Sequence, residues 1–250
     1  MSRNPDSRTN WRWTGILLPI CAAWPCVPAT AQTAASTDDG RPPESIVISA
    51  SRNAQRQFDA AASIDAIQLD PLRANTPLVN LSELTGAVPG LQLRERQNYA
   101  QDLQLSVRGF GTRSTFGVRG IRLLIDGIPA TMPDGQGQAA SASLPSVQRI
   151  EVLRGPVAQL YGNASGGVVQ IFSQDPPLRP GANQASVAAG AGSDNQRQLT
   201  AGFAAGTDGA GLRADLSHYT TDGYRDHSAA ERNQFNAKGV WNAGPDTTLT

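Results

Sequence analysis

One stretch constrains this chain more than any other. From Ser106 to Phe172, short β-branched and leucine-rich runs alternate with glycine-dense turns. The runs are Ile121-Arg122-Leu123-Leu124-Ile125, Ile150-Glu151-Val152-Leu153 and Gly167-Val168-Val169-Gln170-Ile171-Phe172. Apolar runs this short, bounded by Gly, Pro or Asp, are strand signatures. Asp126-Gly127 lies between Leu123-Leu124-Ile125 and Ile128-Pro129-Ala130. A type I′ turn needs positive φ at both central positions, so Asp-Gly in that setting predicts a hairpin. The stretch is a compact, turn-rich β unit and not a helical one.

Four motifs within it follow one another in a fixed order. They are Val107-Arg108-Gly109-Phe110-Gly111, Leu124-Ile125-Asp126-Gly127-Ile128-Pro129, Val147-Gln148-Arg149-Ile150-Glu151-Val152-Leu153-Arg154-Gly155-Pro156, and Leu160-Tyr161-Gly162-Asn163-Ala164-Ser165-Gly166-Gly167-Val168-Val169. Singly each is weak; together, at these gaps, they are specific. The set resembles the plug domain of TonB-dependent outer-membrane receptors, over roughly residues 44 to 250 and most tightly 78 to 175. The resemblance implies an α+β plug domain, a small mixed sheet with short helices, at residues 53–177. It implies next the first antiparallel strands of a 22-stranded transmembrane β-barrel, truncated. It also implies a structural role for Arg108, Gly109, Asp126, Gly127, Glu151, Arg154, Gly155, Tyr161, Gly162, Gly166 and Gly167, with Glu151 and Arg154 paired across strands or to the barrel.

The N-terminus sets the compartment. Arg3, Arg8 and Arg12 precede a mostly apolar Gly15–Trp24, and Ala29-Thr30-Ala31 is an A-x-A site, so residues 1–31 read as a secretory signal peptide. The prolines at 19, 25 and 28 argue against the alternative, a short membrane anchor. Both cysteines, Cys21 and Cys26, fall in this leader, which leaves the mature chain without disulfide, thiolate metal site or cysteine nucleophile. Removing Arg3, Arg8, Arg12 and Asp6 from 21 basic and 21 acidic residues leaves 18 and 20, a net charge of −2. No basic excess supports nucleic-acid binding. No later run of about 18 apolar residues exists to form a membrane helix.

Residues 32–43 are small, polar and proline-ended, a disordered linker. Residues 44–52 follow, in which Glu44, Ser45, Ile46, Val47, Ile48, Ser49 and Ala50 resemble the TonB box. Its job would be strand addition to a sheet edge of TonB, a partner coupled to an inner-membrane energising complex. The alternative is the plug's first strand alone. The dozen residues before the box leave no room for the extra domain of signalling receptors in the family. Thr76 to Thr85 predicts a short helix with Pro77 in its first turn, Thr76 to Val79 offering a cap and Leu78, Leu81 and Leu84 sharing one face. Leu91–Arg94 is a following strand, and Leu103–Val107 alternates as a half-buried one.

Two glycine-punctuated loops carry the candidate ligand contacts that the resemblance implies. They are Arg113, Ser114, Thr115 and Arg119 between Gly109 and Gly120, and Met132, Pro133, Asp134 and Gln136 between Ala130 and Ala139. Guanidinium forks there suit an anionic ferric chelate. Carboxylates of the barrel wall are the alternative partners.

After a proline-rich boundary at Asp175–Gly181 and a linker at 178–184, residues 185–250 change character. Leu212, Ala214 and Leu216 alternate with Arg213, Asp215 and Ser217; Phe235, Ala237 and Trp241 alternate with Asn236, Lys238 and Asn242. Apolar-out, polar-in alternation with joins alternating short and long is the transmembrane barrel pattern. Four or five strands cannot close such a barrel, which predicts an N-terminal piece of a longer receptor.

The expected function is TonB-dependent import of a ferric siderophore or ferric citrate-like chelate across the outer membrane of a Gram-negative bacterium, with plug and box facing the periplasm and outer-membrane lipid around the wall. Cobalamin, another metal or a carbohydrate are alternative cargoes; an exported non-transport barrel is a further one. No catalytic residue, resident metal or cofactor is expected. His218 and His227, the only histidines, lie in the barrel-like region with no G-x-S-x-G elbow before them. The spacing Gly109-x-Gly111 lacks the third glycine of a dinucleotide fold.

Overall fold

The computed structural model describes residues 46–47, 55–73, 76–86, 88–95, 99, 103–114, 117–132, 134–244 and 247–250. All belong to one compact unit, Pro42–Thr250. The leader 1–31, the linker 32–43, box residues 44, 45 and 48–50, Thr115 and Pro133 lie outside the described residues.

The first half builds a five-stranded mixed sheet. In space its order is β3 (Ser63–Gln68), β10 (Val147–Arg154), β11 (Gly167–Ser173), β7 (Ile121–Ile125) and β8 (Ile128–Pro129). Only the β11–β7 pair is parallel. The Asp126-Gly127 hairpin forms as expected: both residues have positive φ, +49° and +81°, and Ile125 faces Ile128. Both faces of the sheet are covered, which is why its strands read as near-continuous apolar runs. On one face Ile121, Leu123, Ile150, Val152, Val169 and Ile171 pack on Leu69, Leu81, Leu105 and Leu144. On the other, Leu124, Leu153 and Val168 pack on Ala158 and Ala164. Gly167 joins these layers at φ +132°; a Cβ there would stand 2.7 Å from the Leu153 carbonyl.

Smaller ladders flank the sheet: β1 (Ile46–Val47) with β2 (Gln55–Arg56), β4 (Leu91–Arg94) with β5 (Gln104–Val107), and β6 (Val118–Arg119) with β9 (Gln136–Gly137). β5 is not half-buried: Leu105, Ser106 and Val107 are all buried. The expected ten-residue helix shrinks to α1 (Ser82–Thr85). Leu78, Leu81 and Leu84 are buried together, but Pro77 lies outside the helix and Leu78 has φ +56°. The cause is Glu83. Its carboxylate accepts the backbone N–H groups of Leu78 (2.8 Å), Val79 (3.2 Å) and Asn80 (2.8 Å), curling the chain ahead of α1. Thr76 caps nothing; its hydroxyl donates back to the Leu72 carbonyl.

The second half is one antiparallel sheet, β12 (Gln184–Ala191), β13 (Arg197–Thr207), β14 (Ala210–Thr221), β15 (Ala230–Gly244) and β16 (Thr247–Leu249), in sequence order. Its alternation is the predicted one. Leu199, Phe203, Leu212, Leu216, Phe235 and Trp241 are exposed on the outer face. Asp215, Tyr219 and Thr221 are buried on the inner face, which the first half covers. Asp208-Gly209 is a two-residue turn, whereas residues 192–196 and 222–229 make longer joins at the opposite end. Pro176 to Leu178 runs across Gly206 and Gly211; a Cβ at Gly211 would come within 2.5 Å of the Pro177 carbonyl. No described helix is long and apolar enough to cross a membrane.

Candidate functional site

The two candidate ligand loops are brought together by the β6–β9 ladder, which sets Arg119 opposite Gln136. Both are exposed, as are Arg113, Met132 and Asp134. The second loop folds on itself. The Met132 N–H donates to the Gln136 carbonyl at 2.6 Å, and the Asp134 carboxylate accepts the Gln136 N–H at 3.0 Å. In the first loop the Gln104 amide donates to the carbonyls of Thr112 (2.9 Å) and Ser114 (3.0 Å). That bracing leaves Ser114 buried, so among the described candidates it alone does not reach the exposed face.

Three neighbours escaped the sequence reading. Phe110 is exposed beside these loops, with Gly166 packed against its Cβ side. Asn163 abuts Gly135, and the Ser165 hydroxyl donates to the Gly120 carbonyl at 3.4 Å. The signal for Asn163 and Ser165 was in the fourth motif, where such polar residues have no place in a core; Phe110 stood in the first motif, between two glycines. Together the loops present two guanidiniums, a carboxylate, an aromatic ring and a thioether. The described residues of these loops can bind an anionic ligand bearing apolar parts.

The structural motif residues occupy turns and buried pairs. Arg108 (φ +48°) and Gly109 (φ +87°) turn the chain after β5, and the Arg108 N–H donates to the Gly90 carbonyl at 2.8 Å. Glu151 is fully buried and pairs with Arg149 of its own strand at 2.8 Å, while the Arg149 guanidinium lies 3.9 Å over Phe172. Arg154 pairs across strands with Asp65 and donates to the Pro89 carbonyl at 2.5 Å. Gly155 and Gly162 turn with φ +87° and +83°, and Tyr161 packs on the smaller apolar cluster. Of the box, Ile46 and Val47 pair with Arg56 and Gln55.

The polar inner face of the wall grips the plug largely through its backbone. Arg232 donates to the carbonyls of Val79 (2.8 Å) and Ala140. Gln234 donates to Ala142 (3.3 Å) and Gln198 to Pro77. The Tyr219 hydroxyl donates to that of Tyr99 at 3.0 Å. Lys238 lies 2.7 Å from Asp175 and 3.4 Å from Asp126. Burial pushes the Glu83 carboxyl above its ordinary range, opposed by the three backbone N–H groups it accepts. A cavity of about 830 Å³ separates Asp70, Arg73 and Pro77 from the small residues of β12 and β13.

Comparison with known proteins agrees with this geometry. Residues 56–168 match the family described as TonB-dependent Receptor Plug Domain. The chain is 30% identical over 141 residues to the ferric enterobactin receptor PirA of Pseudomonas aeruginosa, covering 50% of this chain and 18% of that protein. It is 29% identical over 197 residues to the vitamin B12 transporter BtuB of Photobacterium profundum, covering 76% of this chain and 29% of that one. The crystal structure of the siderophore receptor PirA from Pseudomonas aeruginosa superposes with a TM-score of 0.54 at 26% identity, over 75% of this chain and 34% of that one. The chain thus spans less than a third of the length of these curated relatives.

Proposed function

Residues 56–168 are a plug domain of the TonB-dependent receptor family, and on that premise we propose that this chain serves TonB-dependent import across an outer membrane. The observation that carries the proposal is the seating of the plug. A water-type globule with its own core lies against the polar face of strands whose other face is apolar. Such strands suit lipid outside and a polar lumen inside. The plug closes the lumen at rest, and ligand binds to the loops around Arg113, Arg119, Met132 and Asp134. Segment 44–50 is the site at which TonB pulls by strand addition, with energy from its inner-membrane complex. No covalent step is involved.

The proposed cargo is a ferric siderophore or similar anionic chelate. Support comes from the loop guanidiniums and from relatives named as ferric enterobactin receptors. A vitamin B12 transporter among the relatives keeps cobalamin as the second reading. The test is growth of a deletion strain on a panel of ferric chelates and cobalamin, with the gene restored. Restored growth on one ferric chelate is expected; restoration by cobalamin alone overturns the cargo. Deleting residues 44–50 should abolish uptake and leave ligand binding intact. Retained uptake overturns the box assignment.

A further inference from the structure

Strand β15 carries two cations on its inner face, Arg232 and Lys238, three inward positions apart. That spacing is about 20 Å along an extended strand. Each touches a different part of the plug, and by different chemistry.

Arg232 meets carbonyls. It ties the segment before α1, through Val79, to the turn after β9, through Ala140. Lys238 meets carboxylates. Its ammonium stands 2.7 Å from Asp175, where the chain leaves the plug, and 3.4 Å from Asp126, in the β7–β8 turn. The same Asp126 carboxylate accepts the Ser173 N–H at 2.8 Å and the Ser173 hydroxyl. One ammonium therefore closes three pieces together: the hairpin turn, the end of β11 and the start of the exit segment.

We propose that β15 holds the plug at two separable points, with Arg232 and Lys238 as positioning residues, and that Lys238 keeps the plug's exit shut against the wall. Side-chain exposure is 13% for Lys238, 25% for Asp126 and 73% for Asp175. The shielded Asp126 contact contributes most, and the exposed Asp175 contact little. Removing the ammonium deletes both attractions and leaves two carboxylates that had shared it, with a repulsion weakened by the 73% exposure of Asp175. Turn and exit segment are then no longer tied together. Losing Arg232 instead leaves two carbonyls short of a donor and removes a positive charge that acts on Glu83, which loosens the other end.

Hydrogen exchange on the purified full-length gene product, read by peptide, tests this without any cargo. In Lys238→Gln, peptides spanning 124–130 and 171–178 should exchange about tenfold faster, the scale of one lost charge-assisted hydrogen bond. Peptides spanning 76–85 and 139–143 should stay at the parent rate. Arg232→Gln should show the reverse pattern. Lys238→Arg should restore the parent pattern, and Lys238→Gln/Asp175→Asn should recover part of it. Unchanged exchange at 124–130 in Lys238→Gln, the same peptides freed by both variants, or failure of Lys238→Arg to restore would each overturn the proposal. Only the consequence for gating rests on the import reading. Parent protein that takes up no chelate, yet shows the expected exchange patterns, sinks that reading and leaves the two-point hold standing.

Discussion

The plug and the wall are both β structure, and they are built inside out relative to each other. In the plug, Leu105, Ile150 and Leu153 are wholly buried, and even Glu151 is sealed beneath the sheet. In the wall, Leu212 is 51% and Phe235 67% exposed, while Asp215 and Tyr219 are hidden. The difference fits the medium that the proposed function assigns to each surface. A globule in water gains by withdrawing apolar area, so it covers both faces of its sheet. A sheet in lipid gains nothing by hiding leucines and must hide its polar groups. The seam between the two regions is accordingly polar, with wall side chains donating to plug carbonyls.

That contrast can be broken by the same substitution made twice. Leu105→Ala should cost about 2–5 kcal/mol, by loss of contacts and by the cavity left behind. Leu212→Ala should cost less than about 1 kcal/mol, since about half of the side chain lies uncovered. Denaturation midpoints of the two variants measure this, and equal costs would mean that the outer face of β14 is a core after all. Next in size, Leu212→Arg should cost about 2–4 kcal/mol if that face meets hydrocarbon. The measurement is the fraction of protein that folds into lipid vesicles; undiminished insertion would place β14 in water.

Smaller effects sharpen the picture on the plug side. Arg113→Ala and Asp134→Ala should each weaken ligand binding severalfold with stability unchanged, read by titration calorimetry. Arg154→Ala, by contrast, should destabilise the plug, because it strips the partner from Asp65. Unchanged affinity in both loop variants would move recognition away from the plug. The smallest effect is a pH slope at Glu83. Its carboxyl is raised in the folded chain from an ordinary 4.5, so its contribution is fully present below that value. The contribution fades as pH rises through the folded value. Glu83→Gln should flatten that slope in stability curves taken across acidic pH; an identical slope removes Glu83 as its source.

Much of the fold could be read from residues alone, for reasons that differ by region. The Asp126-Gly127 hairpin was legible because two consecutive positive φ angles restrict the residue choice. Wall alternation was legible because a strand shows alternate residues to opposite media. The helix expected over 76–85 forms only at Ser82–Thr85, because leucines at helical spacing are also what a buried, irregular turn supplies. Its true form depends on one carboxylate, Glu83, reaching back to three N–H groups. The candidate loops were legible only as exposed polar turns: Arg113, Arg119, Met132, Asp134 and Gln136 are each exposed and Ser114 is buried, while Asn163 and Ser165 come beside Gly135 and Gly120 only through the tertiary fold.

Composition, periodicity and turn chemistry thus decided which segments extend, which turn, and which side of each wall strand is apolar. These are local properties, carried within a few residues and sensed wherever the segment lies. Which cation meets which partner was left to the packed molecule: Arg154 with Asp65, Arg232 with Val79 and Ala140, Lys238 with Asp126 and Asp175. Those partners are mostly far apart along the chain, and any arginine or lysine would have satisfied a local rule. Only the register of the sheets and the seating of plug on wall bring one carboxylate or carbonyl, among many, within reach.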